Sequence, residues 1–88
     1  MKKVRKQILT AAICHYGTGT QRFKAMEELA ELIRALARCD DRENISEEMA
    51  DVRIMLDQLE IIFDNHDRVR QIEYEKLTRL NERVQAYE

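Results

Sequence analysis

Proline and tryptophan are absent from this chain of 88 residues, and glycine occurs only at Gly17 and Gly19. Aromatic residues make up 6% of the sequence, whereas charged residues make up 36%. This balance is typical of amphipathic helices rather than of a sheet. Because the chain is short even for one domain, we predict a single all-α domain over residues 1–88.

A strong charge of one sign and a long apolar run are also missing. The formal net charge is −2 and the basic residues are scattered, so no nucleic-acid partner is expected. The basic start is followed by Val4–Gln7 rather than by an apolar stretch, so we predict neither a signal peptide nor a membrane span. Cys14 and Cys39 form no C-x-x-C motif, and we expect reduced thiols in a cytoplasmic protein.

Hydrophobic periodicity predicts four helices, the first over Lys3–Tyr16 with Gly17 as its stop. Thr18 and Gln21 have the spacing of a capping box for a second helix over Gly19–Arg38. The residues expected to face inward are, in the first helix, Val4, Ile8, Ala11, Ala12 and either Ile13 or Cys14, and in the second, Phe23, Met26, Leu29, Ala30, Leu32, Ile33 and Leu36.

Asn44 is predicted to cap the third helix, with Glu47 completing a capping box, and the helix continues to about Asp64. The polar segment 64–67 separates it from a fourth helix, whose apolar seam consists of Val69, Ile72, Leu77, Leu80, Val84 and Tyr87. The apolar arc of the third helix covers more than half its circumference, which is too wide for a helix with one side in water. A partner subunit or a ligand must cover the rest, and we predict a helical-bundle homodimer or a dimer of dimers (a homotetramer).

Four carboxylates carry the main functional signal. Glu28 and Glu31 are three residues apart in the second helix, and Glu48 and Asp51 are three apart in the third, so each pair shares a helix face. Glu48 falls in the middle of the apolar arc, and Asp51 lies inside it. Converging carboxylates repel one another and resist burial, and a divalent cation relieves both costs. An all-oxygen ligand set favours Mg²⁺ or Mn²⁺.

Each pair also has a purely structural interpretation. Glu28 and Glu31 are compatible with a solvated helix face that contacts Arg34 or Arg38. The second pair could instead form buried ion pairs with arginines, but two acids in one apolar arc would require two dedicated cations. We therefore favour metal binding for the second pair, and through it for the set of four.

The motif E-E-x-x-E at Glu27–Glu31, followed after sixteen residues by E-x-x-D at Glu48–Asp51, resembles the signature of the all-α nucleoside triphosphate pyrophosphatases. Within that superfamily the chain is most similar to the MazG-like group. The similarity spans nearly the whole chain, and the matching stretches are Gly17 with Gln21, Met26–Leu32, Glu47–Val52, Ile54–Leu56 and Lys76 with Arg79 and Leu80.

The resemblance implies an enzyme that cleaves the α–β phosphoanhydride of a nucleoside triphosphate, giving a nucleoside monophosphate and pyrophosphate. Carried over position by position, its metal ligands fall on Glu28, Glu31, Glu48 and Asp51, with Mg²⁺ as the expected ion and Mn²⁺ as a substitute. Glu31, at the edge of the site, is our choice for the catalytic residue that orients the attacking water or takes its proton.

Substrate contacts are expected from basic residues, since guanidinium groups match phosphate geometry. The fourth helix supplies Lys76, Arg79 and Arg83, which without the resemblance would be assigned to a solvated face. Gln21 is either a capping residue or a contact to the nucleotide base.

The missing tryptophan is a departure, because some relatives stack one on the base. Two rival functions stay open. A phosphoribosyl-ATP pyrophosphohydrolase is similar in size and acidic motifs, but the third helix lacks the Tyr-His pair expected after E-x-x-D. A non-catalytic helical module would use the acids to bind metal or nucleotide for regulation.

Overall fold

A computed structural model describes residues 1–87 and contains four α-helices, with no strand in that range. They are α1 (Lys3–Tyr16), α2 (Thr18–Ala37), α3 (Arg42–Phe63) and α4 (His66–Ala86). The all-α fold predicted from composition is confirmed. None of the four helices is long and apolar enough to cross a membrane.

Gly17 both ends α1 and begins α2. Its φ of 92° is a conformation that glycine adopts without steric cost. Its N–H donates to the Ile13 carbonyl at 2.8 Å, and its own carbonyl accepts from the Gln21 N–H at 3.1 Å. Gly17 therefore ends α1 as predicted, but the prediction of a capping box formed by Thr18 and Gln21 is wrong. The chain reverses within one residue, so Thr18 already belongs to α2 and no side chain caps it.

The N-terminus of α3 lies earlier than the sequence suggested. Asp41, not Asn44, is the N-cap, and its Oδ1 accepts from the Asn44 backbone N–H at 2.8 Å. The Asn44 side chain donates instead to Asp40 Oδ2 at 2.7 Å. Aspartate and asparagine cap helices about equally well, and the chain uses the first of the two. The capping box of Asn44 with Glu47 is therefore wrong.

Two non-glycine residues end helices in the left-handed conformation. Cys39, with a φ of 55°, follows α2, and its N–H donates to the Leu36 carbonyl at 3.2 Å while the Asp40 N–H donates to the Ala35 carbonyl at 3.0 Å. This pair of bonds is a Schellman motif. Asp64, with a φ of 49°, ends α3 in the same way. Both cysteines are free and exposed.

The main packing interface joins α2 to α3, and the two helices run antiparallel. Gln21 contacts Gln58, and seven residues further along α2 Glu28 meets Asp51, which is seven residues earlier in α3. Helix α1 packs on both, whereas α4 contacts α3 alone and has no buried residue. The small apolar core consists of Leu9, Ile13, Ala25, Ala35, Val52 and Met55.

The inward faces predicted for α1 and α2 are largely wrong for the single chain. Phe23, for example, is 69% exposed, and α2 instead turns Ala25 and Ala35 toward the core. Small side chains at the contact let helix axes approach closely, and the bulky apolar residues are left outside. In the predicted seam of α4 only Val69 and Ile72 are half-buried. The bulky apolar residues that were predicted to face inward and are exposed are Val4, Ile8, Phe23, Met26, Leu29, Ile33, Leu36, Leu77, Leu80, Val84 and Tyr87.

Candidate metal centre

Three of the four predicted acids meet between α2 and α3. Glu28 comes from α2, and Glu48 and Asp51 come from one face of α3. Each offers a carboxylate oxygen such that all three oxygens lie within 4.8 Å of one another. The antiparallel register of the two helices therefore brings together side chains that are twenty or more residues apart in the sequence. Below, "the acid cluster" means these three residues.

Burial within the acid cluster differs from the sequence prediction. Glu28, expected at the edge of an apolar arc, is only 7% exposed. Glu48, expected in the middle of the arc, is half-buried, and Asp51, expected inside it, is exposed. The physical reason is that α3 centres Val52 and Met55 on the core, which leaves Asp51 at the rim and lets Glu28 enter from α2.

The buried oxygens of the acid cluster lack hydrogen-bond donors. Oε2 of Glu28 and Oε2 of Glu48 are both inaccessible to solvent, and neither has a hydrogen-bond partner. Buried polar atoms are almost always satisfied in folded proteins, so two such oxygens in one cluster need a physical explanation. A cation between them would provide it.

Crowding of the carboxylates raises two pKa values. Removal from water is the largest cause of the raised pKa of Glu48, followed by the charges of Glu31, Asp51 and Glu28. Desolvation is also the main cause for Asp51, and Glu28 adds to it through its charge and a hydrogen bond. Lys24 acts in the opposite direction on the Asp51 pKa. The cluster therefore favours bound protons or a bound cation over three bare charges.

Glu31, the fourth predicted ligand and the predicted catalytic residue, lies outside the acid cluster. It is half-buried, and one of its oxygens is 3.9 Å from Arg34 Nη2. Its charge nevertheless raises the pKa of both Glu48 and Asp51, so it lies at the edge of the same site. Such a position leaves one carboxylate of the set free to interact with solvent.

Lys24 is a residue of the site that the sequence analysis missed. Its Nζ lies 3.1 Å from Glu28 Oε1 and 3.6 Å from Glu27 Oε2. A hydrogen bond to Glu28 and the charge of Glu28 are the main causes of a raised pKa for Lys24. The spacing of four residues between Lys24 and Glu28 is the ordinary distance for an ion pair on a helix, and that signal was available in the sequence.

Gln21, predicted to cap α2 or contact the base, is buried and donates through Nε2 to Gln58 Oε1 at 2.7 Å. The Gln58 amide in turn donates to Met55 Sδ at 3.5 Å. These glutamines form a second polar layer between α2 and α3, two helical turns or about 10 Å along the helices from the acid cluster.

The predicted phosphate-binding residues Lys76, Arg79 and Arg83 are exposed on α4. Within residues 1–87 none of them forms an ion pair with the acid cluster. Helix α4 joins α3 on another side, where Glu60 lies 3.6 Å from Arg70 Nη2. At 100° per residue that side is turned well away from Glu48. A single chain therefore does not bring the basic residues to the acids.

An open cleft of about 930 Å³ lies between α3 and the first turns of α4, with Arg5 of α1 at its rim. Glu60, which lines it, is buried, and its Oε1 lies 3.4 Å from His66 Nδ1. Arg5 is held by Asp57 at 2.7 Å. Acidic and basic side chains balance here, so the cleft has no strong preference for an anion.

No protein-family model, curated protein or solved structure matches this chain.

Proposed function

We propose that the chain is a Mg²⁺-dependent nucleoside triphosphate pyrophosphohydrolase, with Mn²⁺ as a substitute ion. The reaction adds water across the α–β phosphoanhydride and releases a nucleoside monophosphate and pyrophosphate. The observation that carries this proposal is the acid cluster, in which three carboxylates from two helices converge within 4.8 Å and two buried oxygens lack partners. The motif resemblance supplies the substrate class, and the cluster supplies a place for the ion.

The position of each residue determines its role in the proposed reaction. Glu28, Glu48 and Asp51 hold the ion, and Glu31 at the edge of the site orients the attacking water and accepts its proton. When bound, a divalent ion neutralises phosphate charge, aligns the triphosphate and lowers the pKa of a bound water. Glu28 is held rigidly because its carboxylate is buried between two packed helices, and a fixed ligand position favours in-line attack.

Phosphate binding requires a second copy of the chain in this proposal, because α4 lies on another side of α3 from the acids. We assign Lys76, Arg79 and Arg83 to the outer phosphates of a substrate held at the acid cluster of a neighbouring subunit. The exposed apolar faces of α1, α2 and α4 provide the surface for a homodimer or a dimer of dimers. Light scattering should therefore give a mass at least twice 10.5 kDa, and a monomer mass at micromolar concentration would contradict this assembly.

The activity is tested by measuring pyrophosphate release from canonical, deoxy and modified nucleoside triphosphates and from phosphoribosyl-ATP, in Mg²⁺. Orthophosphate should appear only when inorganic pyrophosphatase is added, because the products contain pyrophosphate. Turnover of phosphoribosyl-ATP alone would favour the rival function, a phosphoribosyl-ATP pyrophosphohydrolase. Metal-dependent nucleotide binding without turnover across the panel would favour a non-catalytic module.

The phosphate assignment has its own test in Lys76→Ala. Loss of an exposed charge normally changes stability by less than ~1 kcal/mol, so the melting temperature and the Mg²⁺ response should stay near normal. The value of kcat/KM should fall at least ~10-fold, or about 1.4 kcal/mol of transition-state stabilisation. Arg68→Ala is the matched control, since Arg68 is an exposed α4 residue whose side chain donates to Gln71 of the same helix. Full activity in the Lys76→Ala/Arg79→Ala double variant would show that these residues do not bind phosphate.

A further inference from the structure

We propose that Lys24 is a tethered counter-cation, whose ammonium group occupies Glu28 in the metal-free protein and competes with the divalent ion for that carboxylate. This inference rests on the proposed metal site and deepens it, because it names the residue that sets the metal affinity. Lys24 belongs to neither acidic motif and comes from the helix turn that precedes Glu28.

The first observation is the division of the Glu28 carboxylate between two environments. Its Oε1 is 3.1 Å from Lys24 Nζ, whereas its Oε2 is buried without a partner. The ion pair with Lys24 therefore leaves one buried acceptor of Glu28 without a donor, although buried acceptors are normally satisfied. The lysine thus neutralises one side of Glu28 and leaves the other side available for a cation.

The second observation is the charge balance of the site. Among the ion pairs of residues 1–87, Lys24 is the one basic side chain paired with a member of the acid cluster. Its charge also acts on Asp51. In the metal-free protein one ammonium group therefore lies beside the three carboxylates. Its positive charge repels a divalent cation that approaches them.

The third observation is that Lys24 can withdraw. Its side chain is 52% exposed, whereas that of Glu28 is 9% exposed. The lysine side chain is a flexible four-carbon stem with a strongly hydrated charge, so moving the ammonium group into water requires no repacking of the core. The buried carboxylate stays in place and exchanges one cation for the other.

The experiment is a Mn²⁺ titration of full-length wild-type, Lys24→Gln, Lys24→Arg and Lys6→Gln proteins at low ionic strength, with free Mn²⁺ followed by electron paramagnetic resonance. Lys6→Gln is the matched control, because Lys6 is an exposed residue of α1 and the same change in net charge is made away from the cluster. The melting temperature of each metal-free protein is measured in parallel, which reports folding independently of metal binding.

Lys24→Gln should tighten Mn²⁺ binding about fivefold, the upper end of the range expected for losing one partly exposed ion pair. It should also lower the metal-free melting temperature, because the carboxylates lose their counter-cation. Lys24→Arg should remain within about twofold of wild type in affinity, and 0.5 M NaCl should reduce the effect of Lys24→Gln. Mn²⁺ binding by Lys24→Gln but not by the wild type would support the competition in its strongest form.

Other outcomes would overturn the proposal in different ways. Unchanged or weaker binding by Lys24→Gln, with normal binding by the wild type, would reject the competition and leave the metal site standing. Equal tightening in Lys6→Gln would assign the effect to net charge instead. Absence of Mn²⁺ binding by both wild type and Lys24→Gln would reject this inference together with the proposed metal site.

Discussion

Two polar layers cross the same helix pair, and they differ in how their hydrogen-bonding groups are satisfied. In the neutral layer, Gln21 and Gln58 are both buried and bonded to each other at 2.7 Å. In the acid cluster, about 10 Å away along the helices, buried oxygens of Glu28 and Glu48 have no partner. The same two helices with the same register thus build one completed polar contact and one incomplete one.

The difference separates a structural role from a functional one. A neutral amide pair supplies its own donor and acceptor, so it can fix helix register without any ligand. Three ionised carboxylates supply acceptors only and repel one another, so they reduce stability unless bound protons or, as we propose, a bound cation offset their charge. Incomplete satisfaction supports a binding site here because it coincides with the convergence of three carboxylates. Buried atoms of Glu60, Asn65 and His66 also lack partners, but none of these residues belongs to the acid cluster.

Removing a ligand charge from the acid cluster should have the largest effect, because metal binding and activity both depend on it. Glu28→Gln keeps the shape of the side chain but removes the most buried ligand charge. In the wild type, Mn²⁺ at 100 times its Kd should stabilise the fold by about 2.7 kcal/mol. The variant should lose most of this gain, and the pyrophosphohydrolase activity should fall at least ~100-fold, or about 2.7 kcal/mol in activation free energy. Thermal melts with and without Mn²⁺ measure the first effect.

Glu27→Gln is the control for that experiment, because Glu27 is the exposed neighbour on the same helix and also lies near Lys24. It should keep a normal response to Mn²⁺. If Glu28→Gln and Glu27→Gln responded alike, the cluster would not be the binding site.

Substitutions in the neutral layer should have a smaller effect, which is a loss of stability. Gln21→Leu leaves the Gln58 amide buried without its partner and should cost about 1–3 kcal/mol of unfolding free energy. Gln58→Leu should cost a similar amount, whereas the double leucine variant should be close to wild type because no unpaired amide remains. Urea denaturation of the four proteins gives the double-mutant cycle.

In contrast to the acid-cluster variants, all three glutamine variants should bind Mn²⁺ normally. Strictly additive losses in the cycle would show that the bond between the two amides does not couple them. A raised KM for nucleotide in Gln21→Leu, with normal stability, would support the base contact suggested for Gln21 by its position in the sequence.

Much of the fold followed from the sequence, because helices are encoded locally. The hydrophobic period, Gly17 and the polar segment at 64–67 predicted four helices close to their observed bounds. One capping error arose where two equivalent residues compete, as Asp41 and Asn44 do, and the other arose because Gly17 both ends α1 and begins α2. The spacing of three residues correctly placed Glu48 and Asp51 on one face of α3, whereas the meeting of this pair with Glu28 of α2 was expected from the motif resemblance.

The burial pattern could not be predicted in the same way, because it depends on which faces of the helices meet. The alanines of α2, not its large apolar residues, contact α3, and that choice places Glu28 inside and Asp51 at the rim. The bond of Gln21 with Gln58 depends on the same register, and neither residue reveals its partner in the sequence. Lys24 could have been found from its spacing to Glu28.

The pH dependence of stability should also distinguish the two layers, because only the acid cluster contains titratable side chains. Glu48 and Asp51 have raised pKa values in the folded protein, so the folded state holds their protons more tightly than the unfolded chain does. The stabilising contribution is complete below the ordinary carboxyl values of about 4 and is lost as pH rises through the raised values. The metal-free melting temperature should therefore fall as the pH rises above about 4 and through the raised carboxyl pKa values.

Saturating Mg²⁺ should abolish or reverse this slope, since the ion favours the charged carboxylates. Glu48→Gln should flatten the slope in the metal-free protein, and Gln21→Leu should lower the curve without changing its slope. The raised pKa of Lys24 acts only above pH 10 and leaves this window unaffected. A melting temperature that rises steadily from pH 5 to pH 8 in metal-free wild type would contradict the assignment.

The smallest effect is expected for a substitution in the turn between α2 and α3, which should affect both layers equally. Cys39 joins α2 to α3 in the left-handed conformation, where a β-carbon is crowded and glycine is not. Cys39→Gly should raise the unfolding free energy by about 0.5–1 kcal/mol, since the relieved strain exceeds the added entropy of the unfolded chain. Cys14→Gly removes the other exposed thiol from inside α1 and should cost a similar amount, because glycine is unfavourable within a helix. Because the turn only fixes the register that both layers share, Cys39→Gly should leave the Mn²⁺ affinity and the coupling of the two glutamines unchanged. A changed Mn²⁺ affinity would instead mean that the conformation of Cys39 shapes the acid cluster directly.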